Sequence, residues 1–394
     1  MNTHLRAYTK DELPKPEEQR EVVILPLPAL EEVEKAKQVA EQKIKEAQRA
    51  KDAEHEALLK LQAKQLEMAQ DAAQLSKEGM VEFARQKFSE LVIESNDLQI
   101  LFLGYEFFYR TGDLEAAEAV LQKWLSISGP EENSGSTASA YSNLGLVYQT
   151  WGDLEQAEAM HKKALEINES LDLKEGVAGN CSNLGLIYQT RGDLSQAEAM
   201  LEKSLEIHGS LSQKEGMANN YGNLGIIYQA IGDLSQAEMM FEKALEINES
   251  LGHKEGMANS YGNLGNIHQV RGDLVQAEAM YEKALEIKEF LGLKEGMAIV
   301  YGNLGNVYQV RGDIGQAKAM QKKSLEINEF LGRKEGIAGN YSNLGNLCKI
   351  LGELDKAKLM YEAAIELFTE LGSPNAELVA GWLQDMEEEQ SEES

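Results

Sequence analysis

The sequence Tyr261-Gly-Asn-Leu-Gly265, followed by Arg271-Gly-Asp273 and by Ala284-Leu-Glu-Ile287, decides the fold of this chain. The pattern begins again every forty residues, at Tyr141, Cys181, Tyr221, Tyr261, Tyr301 and Tyr341. A fixed period of this size is typical of a solenoid, in which each unit buries its apolar face against its neighbours. Such a chain presents a long surface and not a pocket of catalytic groups.

Each copy of the pattern predicts a helix, a turn and a second helix. Tyr261, Leu264 and His268 follow one another at three- and four-residue intervals, which places them on one face of a helix. Gly272 permits the positive φ that ends a helix, and Asp273 can cap the next one. We therefore predict an all-α chain, with Gly265 and Ala277 small so that the two helices of a copy approach closely.

These residues resemble the tetratricopeptide repeat family, whose pattern is matched by Tyr221, Leu224, Gly225, Tyr228, Ala237 and Phe241. The period of forty is longer than the thirty-four residues usual in that family. The longer unit with Asn-Leu-Gly-Asn resembles kinesin light chains and Pins-type adaptors. The resemblance implies a right-handed α-solenoid of helix-turn-helix repeats, whose first helices line a concave groove for peptide ligands.

Composition and turn residues divide the chain into segments, and a long N-terminal helix precedes the repeats. We predict a disordered lead-in over 1–28, a long helix over 29–78, a helical region with a degenerate first repeat over 79–127, a linker over 128–137, six repeats over 138–372, a C-terminal capping helix over 373–386 and an acidic tail over 387–394. Residues 30–76 have three interpretations: a coiled coil that would make a homo-oligomer, a solvated helix, or a helix folded back on the repeats.

Two features concern the C-terminal end. Ser373 and Pro374 predict the start of a helix that covers the last repeat with Leu378, Val379, Trp382 and Leu383. The tail from Glu387 is expected to be disordered.

Asparagines recur on the other face of the first helices and are the candidate peptide-binding residues. They are Asn143, Asn183, Asn219, Asn223, Asn259, Asn263, Asn266, Asn303, Asn306, Asn343 and Asn346. An amide both donates and accepts, so it can hold the backbone of an extended peptide without reading its side chains. The resemblance implies such a clamp, whereas the structural alternative is that the amides bond neighbouring helices.

The predicted groove is uncharged, apolar near its N-terminal end and amide-rich near its C-terminal end. The acidic residues Glu278, Glu282 and Glu286 are expected on a solvated outer face. With 66 acidic and 38 basic residues the net charge is −28, which disfavours nucleic acid as a partner. The sequence has no apolar run long enough for a membrane span, so we expect no membrane partner and a cytoplasmic location.

Enzyme chemistry has no support in the sequence. The six histidines have no partner at metal-ligand spacing, and no phosphate-binding loop or nucleophile motif occurs. We therefore expect no enzyme activity, no cofactor and no metal. Cys181 and Cys348 are interpreted as small buried hydrophobic residues.

The function that these observations favour is a scaffold whose groove binds a protein or peptide partner, as an extended peptide or a partner helix. Two alternatives stay open: a ligand-responsive regulatory sensor, and an oligomeric structural adaptor that acts through the N-terminal helix.

Overall fold

A computed structural model describes residues 35–45, 53–129 and 132–393, and this part of the chain contains eighteen helices and no strand. Helix α1 covers residues 35–45. The others are α2 (Ala53–Lys77), α3 (Val81–Glu94), α4 (Leu98–Arg110), α5 (Leu114–Ser128), α6 (Gly135–Trp151), α7 (Leu154–Ser170), α8 (Lys174–Arg191), α9 (Leu194–Ser210), α10 (Lys214–Ile231), α11 (Leu234–Leu251), α12 (Lys254–Arg271), α13 (Leu274–Leu291), α14 (Lys294–Arg311), α15 (Ile314–Leu331), α16 (Lys334–Ile350), α17 (Leu354–Glu370) and α18 (Asn375–Glu393). The predicted all-α solenoid of repeats is confirmed. The predicted lead-in over 1–28 lies outside the described residues.

The chain divides into two compact units, Met1–Asp193 (unit 1) and Leu194–Ser394 (unit 2). Consecutive helices pack in pairs within each unit. We call the first helix of each forty-residue copy its A helix and the second its B helix. The A helices are α6 and α8 in unit 1, and α10, α12, α14 and α16 in unit 2; the degenerate first repeat consists of α4 and α5.

The turns between A and B helices form as the sequence predicts. Gly272 has a φ of 81° and ends α12 in the left-handed conformation, which costs a glycine little. The side chain of Asp273 then accepts a hydrogen bond of 3.2 Å from the backbone N–H of Gln276 and so caps α13. The same glycine turn and aspartate cap occur before α7 and α11, whereas the side chains of Asp313 and Glu353 make no capping hydrogen bond at α15 and α17.

The A and B helices of one repeat approach closely because glycine faces a large side chain. A Cβ on Gly265 would lie 2.7 Å from the ring of Tyr281, and one on Gly345 would lie 2.7 Å from the ring of Tyr361. Ala277 is fully buried at the same contact between the two helices. This bears out the expectation that Gly265 and Ala277 permit close packing.

The N-terminal segment differs from its prediction, because one continuous helix over 29–78 is wrong. The Lys37 Nζ lies 3.9 Å from the Glu67 Oε1. In an unbroken helix these positions would be about 45 Å apart. Helix α1 therefore folds back on α2, and Ala40 and Leu66 are buried in the core of unit 1. An oligomer through residues 30–76 is not shown by these contacts and would need exposed residues such as Val39 and Leu61.

The C-terminal helix α18 packs on α17. Val379 and Met386 are buried in the contact, and Trp382 and Leu383 are partly buried, whereas Leu378 is 53% exposed. The Ser373 hydroxyl accepts a hydrogen bond of 3.3 Å from the Asn375 N–H at the start of the helix. The helix continues to Glu393, so the disordered tail predicted from Glu387 is wrong for residues 387–393.

Candidate functional site

Four positions on each A helix form a continuous stripe. On α12 they are Asn259, Asn263, Asn266 and Val270, whose spacing of four, three and four residues confines them to an arc of about 60°. We call this stripe the A face. Its members on the other A helices are Ser139, Asn143, Leu146 and Thr150; Gly179, Asn183, Leu186 and Thr190; Asn219, Asn223, Ile226 and Ala230; Ile299, Asn303, Asn306 and Val310; Gly339, Asn343, Asn346 and Ile350. None of them is charged.

The A faces of neighbouring A helices adjoin within each unit. In unit 2 the Asn303 Nδ2 donates to the Asn266 Oδ1 at 3.3 Å, which joins α14 to α12. In unit 1 the Ser142 hydroxyl donates to the Asn180 Oδ1 at 3.1 Å, which joins α6 to α8. Successive A helices also contact each other elsewhere within each unit. The stripes therefore form a surface that crosses several helices.

The first row of the A face contains one asparagine per copy: Asn143, Asn183, Asn223, Asn263, Asn303 and Asn343. All six side chains are half-buried. Asn303 bonds Asn266, but the other five make no side-chain hydrogen bond to any described residue. Their amides keep both donor and acceptor capacity at a solvent-accessible surface.

The second row contains Asn266, Asn306 and Asn346, and these amides bond the B helix of their own repeat. The Asn266 Oδ1 accepts from the Tyr281 hydroxyl at 2.6 Å, and the Asn306 Oδ1 accepts from the Gln321 Nε2 at 3.0 Å. The Asn346 Oδ1 accepts from the Tyr361 hydroxyl at 2.7 Å. For these three carbonyls the contacts support the structural alternative.

Burial keeps the Tyr361 hydroxyl protonated into the alkaline range. The side chain of Tyr361 is fully buried, and loss of water raises its pKa to about 12, with the Cys348 thiol as a smaller cause. The hydroxyl therefore stays protonated and holds the Asn346 carbonyl. The sequence contains a signal for this role, because each second-row asparagine is followed fifteen residues later by a Tyr or Gln. The copies with Leu or Ile in the second row have His161, Leu201 or Phe241 at that later position.

The two remaining asparagines lie at the N-terminal end of the stripe and are exposed. The Asn259 Oδ1 accepts from the Lys288 Nζ at 2.9 Å. Burial lowers the pKa of Lys288, and the charge of Glu255 partly opposes that effect. Asn219 makes no side-chain hydrogen bond to a described residue. Asn259 thus has a local structural partner, whereas Asn219 resembles the first row.

Sequence reasoning missed an apolar row at the C-terminal end of the A face in unit 2. Val270, Val310 and Ile350 are 64%, 69% and 56% exposed, and Ile299 is 53% exposed on the same stripe. The sequence predicts a groove that is apolar near its N-terminal end and amide-rich near its C-terminal end, and this prediction omits the exposed apolar row of unit 2. The sequence signal for this apolar row is that Ala230, Val270, Val310 and Ile350 recur at forty-residue intervals.

Some of the acidic residues expected on a solvated face instead join successive repeats. The Tyr308 hydroxyl donates to the Glu278 Oε1 at 2.6 Å, and the Arg311 guanidinium lies 2.7 Å from the Glu278 Oε2. Burial and the bond to Glu278 raise the pKa of Tyr308 to about 12. Glu278 is thus partly buried and paired, whereas Glu282 and Glu286 are exposed as expected.

Cys181 and Cys348 are buried and are not joined in a disulfide, as the sequence predicts. Within the described ranges no three His, Cys, Asp or Glu side chains gather so as to hold a metal ion. In the same part of the chain no helix combines the length and the apolar character that crossing a membrane requires.

A family model for the tetratricopeptide repeat matches residues 106–170, 180–250, 216–289, 256–330 and 296–370. The matches cover more than half of the sequence, so the chain belongs to the tetratricopeptide repeat family. The fold of this family is generally a non-catalytic scaffold for protein interaction. The likeness to kinesin light chains in particular stays a prediction.

Solved structures with a similar fold include a signal transduction ATPase with numerous domains and a tetratricopeptide repeat sensor from Pyrococcus horikoshii. It is 17% identical, the match covers 89% of this chain and 54% of that one, and the TM-score is 0.64. The apo form of RapI is 16% identical over 70% of this chain and 98% of its own, with a TM-score of 0.58. A Rap protein complexed with competence and sporulation factor is 14% identical over 84% and 99%, with a TM-score of 0.52. These likenesses show the fold alone, and no curated protein matches the chain.

Proposed function

We propose that the chain binds an extended peptide segment of a partner protein along the A face, with the first-row asparagines holding the peptide backbone. One observation carries this proposal: five half-buried first-row amides have no hydrogen-bond partner among the described residues. These amides are open to solvent and are not engaged by the described residues, and an amide can pair with both the N–H and the C=O of a passing peptide. A backbone bound within unit 2 would satisfy Asn223, Asn263 and Asn343.

The proposal assigns binding and not catalysis to this surface. The A face has no charged residue, cysteine or histidine, and its hydroxyls, those of Ser139, Thr150 and Thr190, have no carboxylate or imidazole on the stripe to activate them. The same neutrality, in a chain of net charge −28, makes nucleic acid an unsuitable partner. A cytoplasmic location is part of this proposal.

The regulatory and oligomeric alternatives would act through the N-terminal helices. Those helices belong to the core that extends through unit 1, in which Leu66 and Ala73 are buried together with Leu144 and Ile187. A stalk that moves independently would have to leave this core. The contacts therefore favour the scaffold over both alternatives.

A binding experiment tests the proposal. Partners are captured with the full chain, the bound segment is mapped, and its synthetic peptide is titrated by calorimetry. Each lost hydrogen bond costs about 0.5–1.5 kcal/mol, so Asn223→Ala with Asn263→Ala should weaken binding about tenfold. The matched control removes two exposed B-helix amides, Gln276→Ala with Gln316→Ala, and should leave the affinity unchanged.

Two results would contradict the proposal. One is a folded Asn223→Ala and Asn263→Ala variant that binds the peptide as tightly as the native chain. The other is equal loss in the control variant, which would place the contact on the B helices. Binding should also depend little on salt, because the A face carries no charge for ions to screen.

A further inference from the structure

Successive repeats of unit 2 differ in the layer of side chains that is buried between them. We call the contact between the B helix of one repeat and the A helix of the next a joint. The layer at the joint of α13 and α14 consists of Tyr281, Ala284, Lys288 and Val300. The same four positions at the joint of α15 and α16 hold buried polar side chains, namely Gln321, Ser324, Asn328 and Asn340. Among the described residues of unit 2 this is the one layer without an apolar side chain, since the first of the four positions at the other joints is Leu201, Phe241 or Tyr281.

One amide on α16 makes the hydrogen bonds of this layer across the joint. The Asn340 Nδ2 donates to the Gln321 Oε1 at 2.9 Å, and the Asn340 Oδ1 accepts from the Asn328 Nδ2 at 2.8 Å. The Ser324 hydroxyl lies 3.3 Å from the same Oδ1, but its single proton has a nearer acceptor in the Ala298 carbonyl at 2.8 Å. The Asn328 Oδ1 is buried without a partner among the described residues. The bonding across the joint therefore depends on Asn340 and is incomplete.

The polar layer also ties α15 to α14, the A helix of its own repeat. The Gln321 Nε2 donates to the Asn306 Oδ1 and to the Gly302 carbonyl, both at 3.0 Å. These bonds would remain if α16 moved away from α15. Water could then bond the Asn340 amide and the Asn328 carbonyl, so few hydrogen bonds would be lost. The same movement at the joint of α13 and α14 would expose an apolar layer to water.

Helices α16, α17 and α18 share a hydrophobic core of their own. Its buried residues are Ala338, Cys348, Ala357, Tyr361, Ala364, Phe368, Val379 and Met386. Helix α16 also adds Leu344 and Leu347 to the core of α13, α14 and α15, and α14 contributes the corresponding pair, Leu304 and Val307, to that core. The leucine pair is thus common to both joints, and the polar layer is what distinguishes them.

The ion pairs at this joint are partly exposed. The Lys318 Nζ of α15 lies 3.3 Å from the Glu353 Oε2, and the Arg333 Nη2 lies 3.0 Å from the Glu295 Oε1. Pairs of this kind contribute little to stability, because solvent and salt screen them. They do not compensate for the missing apolar layer.

We propose that α16, α17 and α18 open reversibly from α15 as one body, and that the Asn340 network is the latch of this movement. In the open form α15 stays bonded to α14, and α16 stays packed on α17 and α18. Opening of part of a structure in this way requires less free energy than unfolding of the whole chain. The movement goes beyond the proposed function, since no ligand of the A face takes part in it.

Hydrogen exchange of the full chain at neutral pH, followed by mass spectrometry, tests this movement. We expect the slowest amides of α16, α17 and α18 to share one opening equilibrium. Its constant should be about tenfold larger than that of the slowest amides of α12, α13 and α14, which an apolar joint holds together. Opening that increases step by step from α16 to α18 would indicate fraying of the chain end and overturn the proposal. Equal protection of the two groups of helices would overturn it as well.

A variant that gives this joint the residues of other joints isolates the polar layer. In Gln321→Tyr with Ser324→Ala and Asn340→Ser, each new residue occurs at the same position of another joint, as Tyr281, Ala284 and Ser260. Asn328 is retained, because Asn248 occupies that position at the joint that contains Ser260. The added buried apolar area should reduce the shared opening of α16, α17 and α18 about tenfold.

Two further variants complete the test. Asn340→Ala removes the latch and should increase the shared opening about tenfold, because it leaves the Gln321 carbonyl and the Asn328 amide without their partner. Lys322→Ala is the control, since Lys322 is exposed on α15 outside the layer, and it should leave the opening unchanged. An Asn340→Ala chain that opens no more than the native chain, or a folded triple variant that opens as much, overturns the proposal. If the triple variant does not fold, the native exchange profile and Asn340→Ala decide the outcome.

Discussion

The two asparagine rows of unit 2 differ in their partners although they share residue type, helix and exposure. Asn343 has no side-chain hydrogen bond to a described residue, while Asn346, one turn further along α16, is held by the Tyr361 hydroxyl. The B helix makes the difference, because it supplies a donor under the second row and none under the first. A ladder of identical residues can therefore combine a row that bonds the B helices with a row whose amides are not bonded to them.

The largest effect is expected where the close approach of the two helices is broken. Gly265→Val would push carbon atoms into the Tyr281 ring, which already lies 2.7 Å from an added Cβ. Overpacking of this kind costs about 1–3 kcal/mol, and displacing the Tyr281 hydroxyl, the donor of Asn266, adds the cost of a lost hydrogen bond. Chemical denaturation measures the loss; stability equal to the native chain would show that the helices can move apart freely.

The next prediction tests the difference between the two asparagine rows on a single helix, α16. Asn346→Ala leaves the buried Tyr361 hydroxyl without its acceptor, which should cost about 1–3 kcal/mol of unfolding free energy. Asn343→Ala should be neutral or slightly stabilising, because alanine favours a helix more than asparagine does. Adding Tyr361→Phe to Asn346→Ala should recover part of the loss. Equal costs for the two alanine variants would refute the distinction between the rows.

A buried histidine extends the comparison of bonded and free polar groups to unit 1. The His161 Nδ1 lies 3.0 Å from the Asn180 Oδ1, while its Nε2 is buried without a partner among the described residues. Burial lowers the pKa of His161, which the bond to Asn180 partly opposes. The unfolded chain therefore binds a proton first as the pH falls through the usual histidine range, and stability decreases.

Replacing this histidine isolates its contribution. His161→Leu places the residue found forty positions later, at Leu201, and should remove this part of the pH dependence. The free energy of unfolding of the native chain and of the variant is measured from neutral pH to below the usual histidine pKa. As the pH falls, the native chain should lose more of this free energy than the variant does. A difference that stays constant with pH would contradict the prediction.

The smallest predicted stability change has the opposite sign. Gly262→Ala should stabilise the chain by about 0.5–1 kcal/mol, because the added methyl group meets nothing and the helix loses a flexible residue. Thermal unfolding with Gly315→Ala as the companion variant measures it. A destabilised Gly262→Ala would mean that the space above this glycine is not open.

The sequence predicts the repeats well because the same residue types recur at the same positions of the forty-residue pattern. The Gly272 turn, the Asp273 cap and the Gly265 contact each follow from the conformational or steric properties of one residue type. The fold-back of α1 on α2 was missed, since residues 29–76 contain no Gly or Pro that would indicate a turn. Helix propensity alone cannot distinguish one long helix from two.

The candidate site could be predicted by position but not by role. The register of the asparagines placed all of them on one stripe. Whether Asn266 is bonded or available depends on Tyr281, which lies fifteen residues away on another helix. Exposure of Val270 depends likewise on what packs around α12 in three dimensions. Such facts require the packed structure, although the pairing of Asn with Tyr or Gln leaves a trace in the sequence.

The side-chain amide resonances of the asparagines test the central claim most directly. In a titration of the ¹⁵N-labelled full chain with its mapped partner peptide, the signals of Asn223 and Asn263, assigned by their alanine variants, should shift and become protected from solvent. The signal of Asn346 should move little, because its carbonyl stays bonded to Tyr361. Saturated binding with unchanged Asn223 and Asn263 signals would contradict the account.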